Sequence, residues 1–239
     1  MPALASEQAR SFHRAAVEYD RGRPGWPPAI LDLLPLSNDA TVLDLGAGTG
    51  KLTRVLANRY ASVIAVEPLD ELRAILAERV PEADVRAGAA EHIPLADAEV
   101  DGVFAGQSFH WFANDVAMGE IARVLRPGGV LALLWNRSDD PSPLPDAYRR
   151  RLSELHDERR PARIDEHILE RFPFGQEHEE SVAHEQVSSS DDVLAFAASV
   201  SWIASRDDRE QVLAELAALL SPGDYVFPML TEVTWAIRS

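Results

Sequence analysis

TVLDLGAGTG, residues 41–50, opens with apolar Val42, Leu43 and Leu45 and then breaks on glycine at three alternate positions, Gly46, Gly48 and Gly50. The apolar run predicts a short buried strand, and the glycines predict a turn. Leu52, Val55 and Leu56 follow at helical spacing between Lys51 and Tyr60, so the unit reads as strand, glycine turn, helix. Such a corner suits nucleotide-type ligands, because glycine takes positive φ and lets a ligand lie against main-chain N–H groups at a helix N-terminus.

The spacing narrows the ligand. A dinucleotide fingerprint, G-x-G-x-x-G/A, needs a small residue at position 51, where this chain has Lys51. The pattern leads instead with Asp44, a carboxylate that repels a pyrophosphate and welcomes an ammonium or sulfonium. A second acid, Glu67, closes the next apolar run, SVIAVE. It follows the glycines at roughly the 20-residue distance at which an acidic side chain takes ribose hydroxyls.

These residues, in this order, resemble the class I S-adenosyl-L-methionine (AdoMet) dependent methyltransferases, and among them the small-molecule, type 11-like group. DLGAGTG matches the family's first motif, Glu67 its acidic second motif, and LRPGG, Leu125 to Gly129, its turn before strand five. The matches cover about residues 40 to 136. The resemblance implies an α/β fold: a doubly wound, mostly parallel, seven-stranded Rossmann-like sheet with an antiparallel last strand and a helical cap. It implies AdoMet as cofactor. Asp44 and the backbone of Gly46, Ala47, Gly48, Thr49 and Gly50 are then expected at the methionine end, Glu67 on the ribose, and Pro68, Leu69 and Ile93 about the adenine. In relatives a run like YDRGRPGWPP covers the cofactor, so Tyr19 and Arg23 are expected at the methionine carboxylate. Arg23 suits that role through its planar fork; a solvated surface loop is the alternative. The acid that the family usually carries just after the glycine at Gly88 is Ala89 here, which leaves adenine to the main chain of Ala89 and Ala90 or to Glu91.

Composition bounds the rest. A chain of 239 residues accommodates one core with an elaborated end. No apolar run approaches the roughly 20 residues that span a bilayer, and the first residues lack a cationic stretch followed by an apolar one, so a cytoplasmic location away from membranes is expected. The absence of cysteine removes disulfides, thiolate metal sites and the cluster of radical AdoMet enzymes, and no metal site is expected. A net charge of −16 repels polyanions, which disfavours nucleic acid and favours a small-molecule substrate. Monomer and homodimer are both left open.

Along the chain, the spacing predicts helices over Ser6 to Tyr19, Ala29 to Leu34, Leu69 to Val80 and Asn114 to Leu125. Strands are expected at Ala83 to Ala87, Val100 to Gly106 and, wholly apolar and so central, GVLALLWN. In a doubly wound sheet ligands sit beyond the carboxyl ends of the strands. Gln107, Ser108, Phe109, His110, Trp111 and Phe112 are therefore expected at the pocket mouth, Gln107 on the cofactor side. His110 is the candidate proton acceptor, because imidazole is the side chain most readily poised for that near neutral pH. Trp111 and Asn136 are candidate substrate residues. QSFHWF is not the Asn/Asp-Pro-Pro-aromatic signature of amino-methylating enzymes, which disfavours that chemistry.

After Ser138 the composition becomes charged. A helix is expected in DAYRRRLSELHDERR, a polar strand in HEESVAHEQVS, one helix through DVLAFAASVSWIA capped by Ser190, another in DDREQVLAELAALL, and a closing strand in FPMLTEVTWAIRS. By resemblance the substrate lid runs from Asp139 to about Ser205, with Ser201 and Trp202 as its pocket wall; Trp202 reads equally well as core. The expected organisation is a single domain: residues 1–35 covering the cofactor, 36–137 as AdoMet-binding core, 138–205 as cap, and 206–239 as last helix and strand. The function implied is methyl transfer from AdoMet to a hydroxyl or carboxylate oxygen of a small organic acceptor. A carboxylate, as in the aconitate-type methyltransferases the chain also resembles, needs no base. An AdoMet-binding module without catalysis and a dinucleotide-dependent oxidoreductase are the alternatives.

Overall fold

β1, Thr41–Leu45, and β2, Ser62–Glu67, pair in parallel with Val42 beside Val63 and Leu45 beside Val66. Both are almost wholly buried, as parallel strands covered on two faces must be. The computed structural model describes residues 20–138, 142–155 and 168–239. The helix expected over Ser6 to Tyr19 lies outside them.

The remaining strands are β3 (Asp84–Ala87), β4 (Val100–Gly106), β5 (Leu125–Ser138), β6 (His178–Ser189) and β7 (Asp224–Ile237). They form one seven-stranded sheet in the order β3-β2-β1-β4-β5-β7-β6. Strands β1 to β5 run parallel, and the last strands are antiparallel. Gly128 N–H donates to the Arg238 carbonyl and Arg238 N–H to the Gly129 carbonyl, which ties the start of β5 to the end of β7. Three helices serve as crossovers: α1 (Lys51–Ala57), α2 (Asp70–Arg79) and α3 (Asp115–Val124). The strand order reverses between β1 and β4, the place where such sheets open a crevice at their carboxyl ends.

Period-two alternation divides the strand side chains between two cores. Leu43, Ile64, Val103 and Leu131 pack with Met118, Ile121 and Val124 of α3. Val42, Val63, Phe104 and Val130 pack with Leu52 and Leu56 of α1 and with Ile30, Leu31 and Leu34 of a 3₁₀ segment, Pro28–Leu33.

The chain clusters into two compact units. One comprises the described residues in 26–137, 168–182 and 231–239, and it holds the glycine corner. The other comprises 20–25, 138, 142–155 and 183–230. Its helices α4 (Asp146–Leu155), α5 (Ser190–Ser199), α6 (Ser201–Ala204) and α7 (Arg209–Ala218) enclose Tyr148, Val193, Ala197, Ile203, Val212 and Leu216. Residues 20–25 dock on α5. Gly22 lies so close that a Cβ there would fall 2.2 Å from the Phe196 nitrogen, Arg21 pairs with Asp192, and the Gly25 N–H reaches Gln186 Oε1 at 3.2 Å.

Two local expectations change. The single helix through DVLAFAASVSWIA breaks at Val200, whose φ of −76° and ψ of 134° are extended. Ser199 Oγ bonds the Phe196 carbonyl at 2.7 Å, competing with the helix ladder one residue before a β-branched side chain. LRPGG, read as a turn before strand five, is part of β5. It loops out as a bulge, since Val100 pairs with Leu125 and Gly102 with Val130. Gly128, at φ +81°, permits it.

Candidate active site

The glycine corner links β1 to α1 with three left-handed residues, Gly46 at φ +71°, Gly48 at +58° and Gly50 at +87°. Two of them are also closely packed against neighbouring side chains. A Cβ on Gly50 would lie 2.4 Å from Leu76 Cδ1, and one on Gly46 2.9 Å from Ser108 Cβ. A Cβ on Gly48 would meet nothing within 4 Å, so that glycine presents its open face outward. The loop's N–H groups are mostly spoken for. Gly46 and Ala47 donate to the Val66 carbonyl at 2.9 and 3.1 Å, and Gly50 to the Ala47 carbonyl at 3.0 Å. Gly48 donates to Glu67 Oε2 at 2.9 Å.

Both sequence-predicted acids are buried here. Asp44 is 1% exposed and accepts from Thr53 Oγ1 at 2.7 Å. Burial pushes its carboxyl up to about 7, the Thr53 hydrogen bonds opposing this and the Glu67 charge adding to it. Glu67 closes β2 as a bidentate acceptor: Oε2 holds Gly48 and Oε1 takes the Leu69 N–H at 3.0 Å. Arg73 Nη1 donates to the Glu67 carbonyl at 2.8 Å. Thr49 is buried in the same corner. The structure thus ties the glycine loop to the end of β2 through Val66 and Glu67, with Asp44 buried close enough to feel the Glu67 charge and held by Thr53.

Beyond β2, Pro68 is exposed and Leu69 is 55% exposed, while Ile93 is buried in the core. Ala89 and His92 form an isolated bridge, and Ala90 is buried. Glu91 Oε1 accepts from Asn114 Nδ2 at 2.9 Å, and Asn114 Oδ1 caps α3 by accepting from Val116 and Ala117. Glu91 is therefore tethered to the helix that follows β4.

At the end of β4, Gln107 adopts φ +54°, uncommon for a residue with a side chain. Its N–H donates to the Leu134 carbonyl at 2.9 Å and its Nε2 to the Asn136 carbonyl at 2.8 Å. Both bonds hold it to β5. The Asn136 side chain meets Thr231 Oγ1, and Arg137 Nη1 lies 2.9 and 3.0 Å from the two oxygens of Glu232. Ser108 Oγ donates to the Leu45 carbonyl at 2.9 Å, fastening this segment behind Gly46. A 3₁₀ turn, Phe109–Trp111, follows. Phe109 and Phe112 are buried edge to face, with ring centroids 5.7 Å apart. The His110 ring meets Trp111 at 4.7 Å and Trp135 at 5.5 Å between centroids.

Tyr19 lies outside the described residues. Arg23 belongs to the other unit, its guanidinium 5.3 Å from the centre of the Phe196 ring. Trp202 belongs there too, packed against the Tyr148 cluster; the Ser201 side chain is outside what is described. Sequence reading missed Thr53 and Trp135. Thr53 carries a signal, a hydroxyl in the first turn of the helix that follows the buried acid. Trp135 carries none, because its partner His110 lies in a segment distant in sequence.

A family model described as a methyltransferase domain matches residues 43–133. An uncharacterised methyltransferase of Mycobacterium tuberculosis is 46% identical over 134 residues, 56% of this chain and 55% of that protein. A malonyl-[acyl-carrier protein] O-methyltransferase of Pectobacterium atrosepticum is 32% identical over 146 residues, 59% of this chain and 58% of that protein. The chain thus spans about half the length of the curated relatives it matches. Among solved structures, a candidate type II methyltransferase of Anaeromyxobacter dehalogenans is 27% identical, with a TM-score of 0.63 over 90% of this chain and 96% of that one. Residues 43–133 match a methyltransferase domain, and in its motifs and sheet order the chain is similar to these methyltransferases.

Proposed function

We propose that the protein transfers a methyl group from AdoMet to an oxygen atom of a small organic acceptor. The observation that carries this reading is the pair of buried carboxylates, Asp44 and Glu67, built around a glycine loop whose open face is Gly48. Two acids at one corner suit a cationic ligand that carries a ribose. A phosphate fits the same corner poorly, because four loop N–H groups already have protein acceptors. The open face at Gly48 is where a nucleoside can approach the backbone.

When bound, AdoMet supplies a methyl carbon on a sulfonium that an oxygen can displace in line. The chain's part is alignment and exclusion of water. Gly46 to Gly50 with Asp44 hold the charged end, Glu67 turns its carboxylate from Gly48 and Leu69 to the ribose hydroxyls, and Leu69 with Pro68 offers apolar surface to the base. His110 receives the proton of a hydroxyl acceptor. The O-methyltransferase among the relatives supports oxygen as the acceptor atom.

Calorimetric titration with AdoMet, followed by mass spectrometry of S-adenosylhomocysteine released in the presence of small acids and phenols, tests the proposal. Micromolar binding and acceptor-dependent release are expected. Absence of binding by AdoMet and its demethylated product removes the assignment, and binding without release for any acceptor leaves a module that holds the cofactor without catalysis.

A further inference from the structure

Trp111 is 79% exposed, although Phe109 and Phe112 on either side of His110 and Trp111 are buried. The exposed indole is not on a loose loop. The Trp111 N–H bonds the Ser108 carbonyl at 3.0 Å and the Phe112 N–H bonds the Phe109 carbonyl at 3.0 Å. Ser108 is itself fastened to β1 through the Leu45 carbonyl. The His110 ring contacts both Trp111 and Trp135, so three aromatic rings cluster where β4 and β5 end. A large apolar face held rigidly in water at the mouth of a binding corner marks a contact surface.

The charges nearby choose between the two oxygen acceptors. A carboxylate-bearing acceptor calls for a cation, and the arginine at the end of β5, Arg137, is already paired through Nη1 with both oxygens of Glu232. What the segment offers instead is aromatic surface and an imidazole. We infer that the acceptor is an aromatic hydroxyl compound whose ring stacks on Trp111, with its oxygen directed to His110. This rests on the methyltransferase reading above. In the reaction the phenolic oxygen bonds to the methyl carbon as the carbon–sulfur bond breaks with its electron pair left on sulfur, and the phenolic proton passes to His110 and then to water. The products are an aryl methyl ether, S-adenosylhomocysteine and a proton.

The test uses the full chain with AdoMet and matched panels of mono- and dihydroxylated arenes and aliphatic mono- and dicarboxylic acids, read by S-adenosylhomocysteine release. Release is expected with arenes. Trp111→Ala should raise KM for the best arene at least tenfold with AdoMet affinity unchanged, while Trp111→Phe stays within about threefold of wild type. Quenching of tryptophan fluorescence by that arene should shrink in Trp111→Ala. Release with aliphatic acids alone, or equal KM in wild type and Trp111→Ala, overturns the inference and leaves the methyltransferase reading standing. Failure to bind AdoMet overturns both.

Discussion

Asp44→Asn isolates one buried charge. The carboxyl is 1% exposed, and burial raises it from 3.8 to about 7, with the Thr53 hydroxyl as its hydrogen-bond donor. The unfolded chain releases this proton near 3.8, the folded chain only near 7. Between those values the folded state binds more protons, so the group's contribution to stability falls as pH rises and is fully lost above about 7. A rise of about three units at 1.36 kcal/mol each makes the loss about 4 kcal/mol. Asparagine keeps an oxygen for Thr53 and does not titrate. The variant's melting temperature relative to wild type should therefore climb between pH 4.5 and pH 8 in the absence of ligand. At about 2–4 °C per kcal/mol for a chain of this size the climb is roughly 10 °C. Thermal melts of both proteins across that range provide the measurement, the difference between them cancelling other titrations. A difference that stays flat with pH would refute the buried-charge account.

The same carboxyl predicts a distinction between donor and product: affinity for cationic AdoMet should fall below pH 7 by up to tenfold per unit, while neutral-sulfur S-adenosylhomocysteine changes little, and parallel titrations that move together reject it. Glu67→Gln keeps the shape and removes the charge from the hydrogen bonds to Gly48 and Leu69; AdoMet should bind roughly tenfold to a hundredfold more weakly, measured by calorimetry. Gly50→Ala should destabilise the fold by about 2–4 kcal/mol from positive φ and the Leu76 clash, whereas Gly48→Ala should cost only about 1–2 kcal/mol yet weaken AdoMet, with denaturant titrations and binding read side by side. His110→Ala should slow methylation of hydroxyl acceptors about a hundredfold or more without changing AdoMet affinity, and unaltered turnover removes it from the mechanism.

Strands β1, β2, β4 and the GVLALL stretch of β5 are readable because each is a largely apolar run bounded by glycine, proline or an acid, whereas β3, DVRA, carries two charged residues. VDGVFAG is β4 residue for residue. Asp101 shows the limit. Its carboxylate accepts from the Thr41 N–H at 2.8 Å and from Arg126, a clamp between strands 60 residues apart that no local pattern reveals. The LRPGG bulge and the break at Val200 were missed for one reason: both depend on where a partner strand or a serine hydroxyl competes for backbone groups. In the candidate site, residue identity was legible and orientation was not. Asp44 and Glu67 stand out as acids at strand ends, yet their burial and their bonds to Thr53, Gly48 and Leu69 are tertiary facts.

The bonding of the corner gives a reason for the proposed ligand to differ from that of a dinucleotide loop built on the same strand-turn-helix frame. A phosphate cradle needs several N–H groups aimed at the anion from a helix N-terminus. Here the Val66 carbonyl takes two of them, the Ala47 carbonyl a third and Glu67 a fourth. What remains to meet a ligand is the negative side of the corner, the buried carboxylates of Glu67 and Asp44. A buried acid raised toward neutrality costs the empty protein stability, and a cation at the corner restores the ionised form. If the ligand is the sulfonium proposed above, that cost and the choice of ligand are one electrostatic effect.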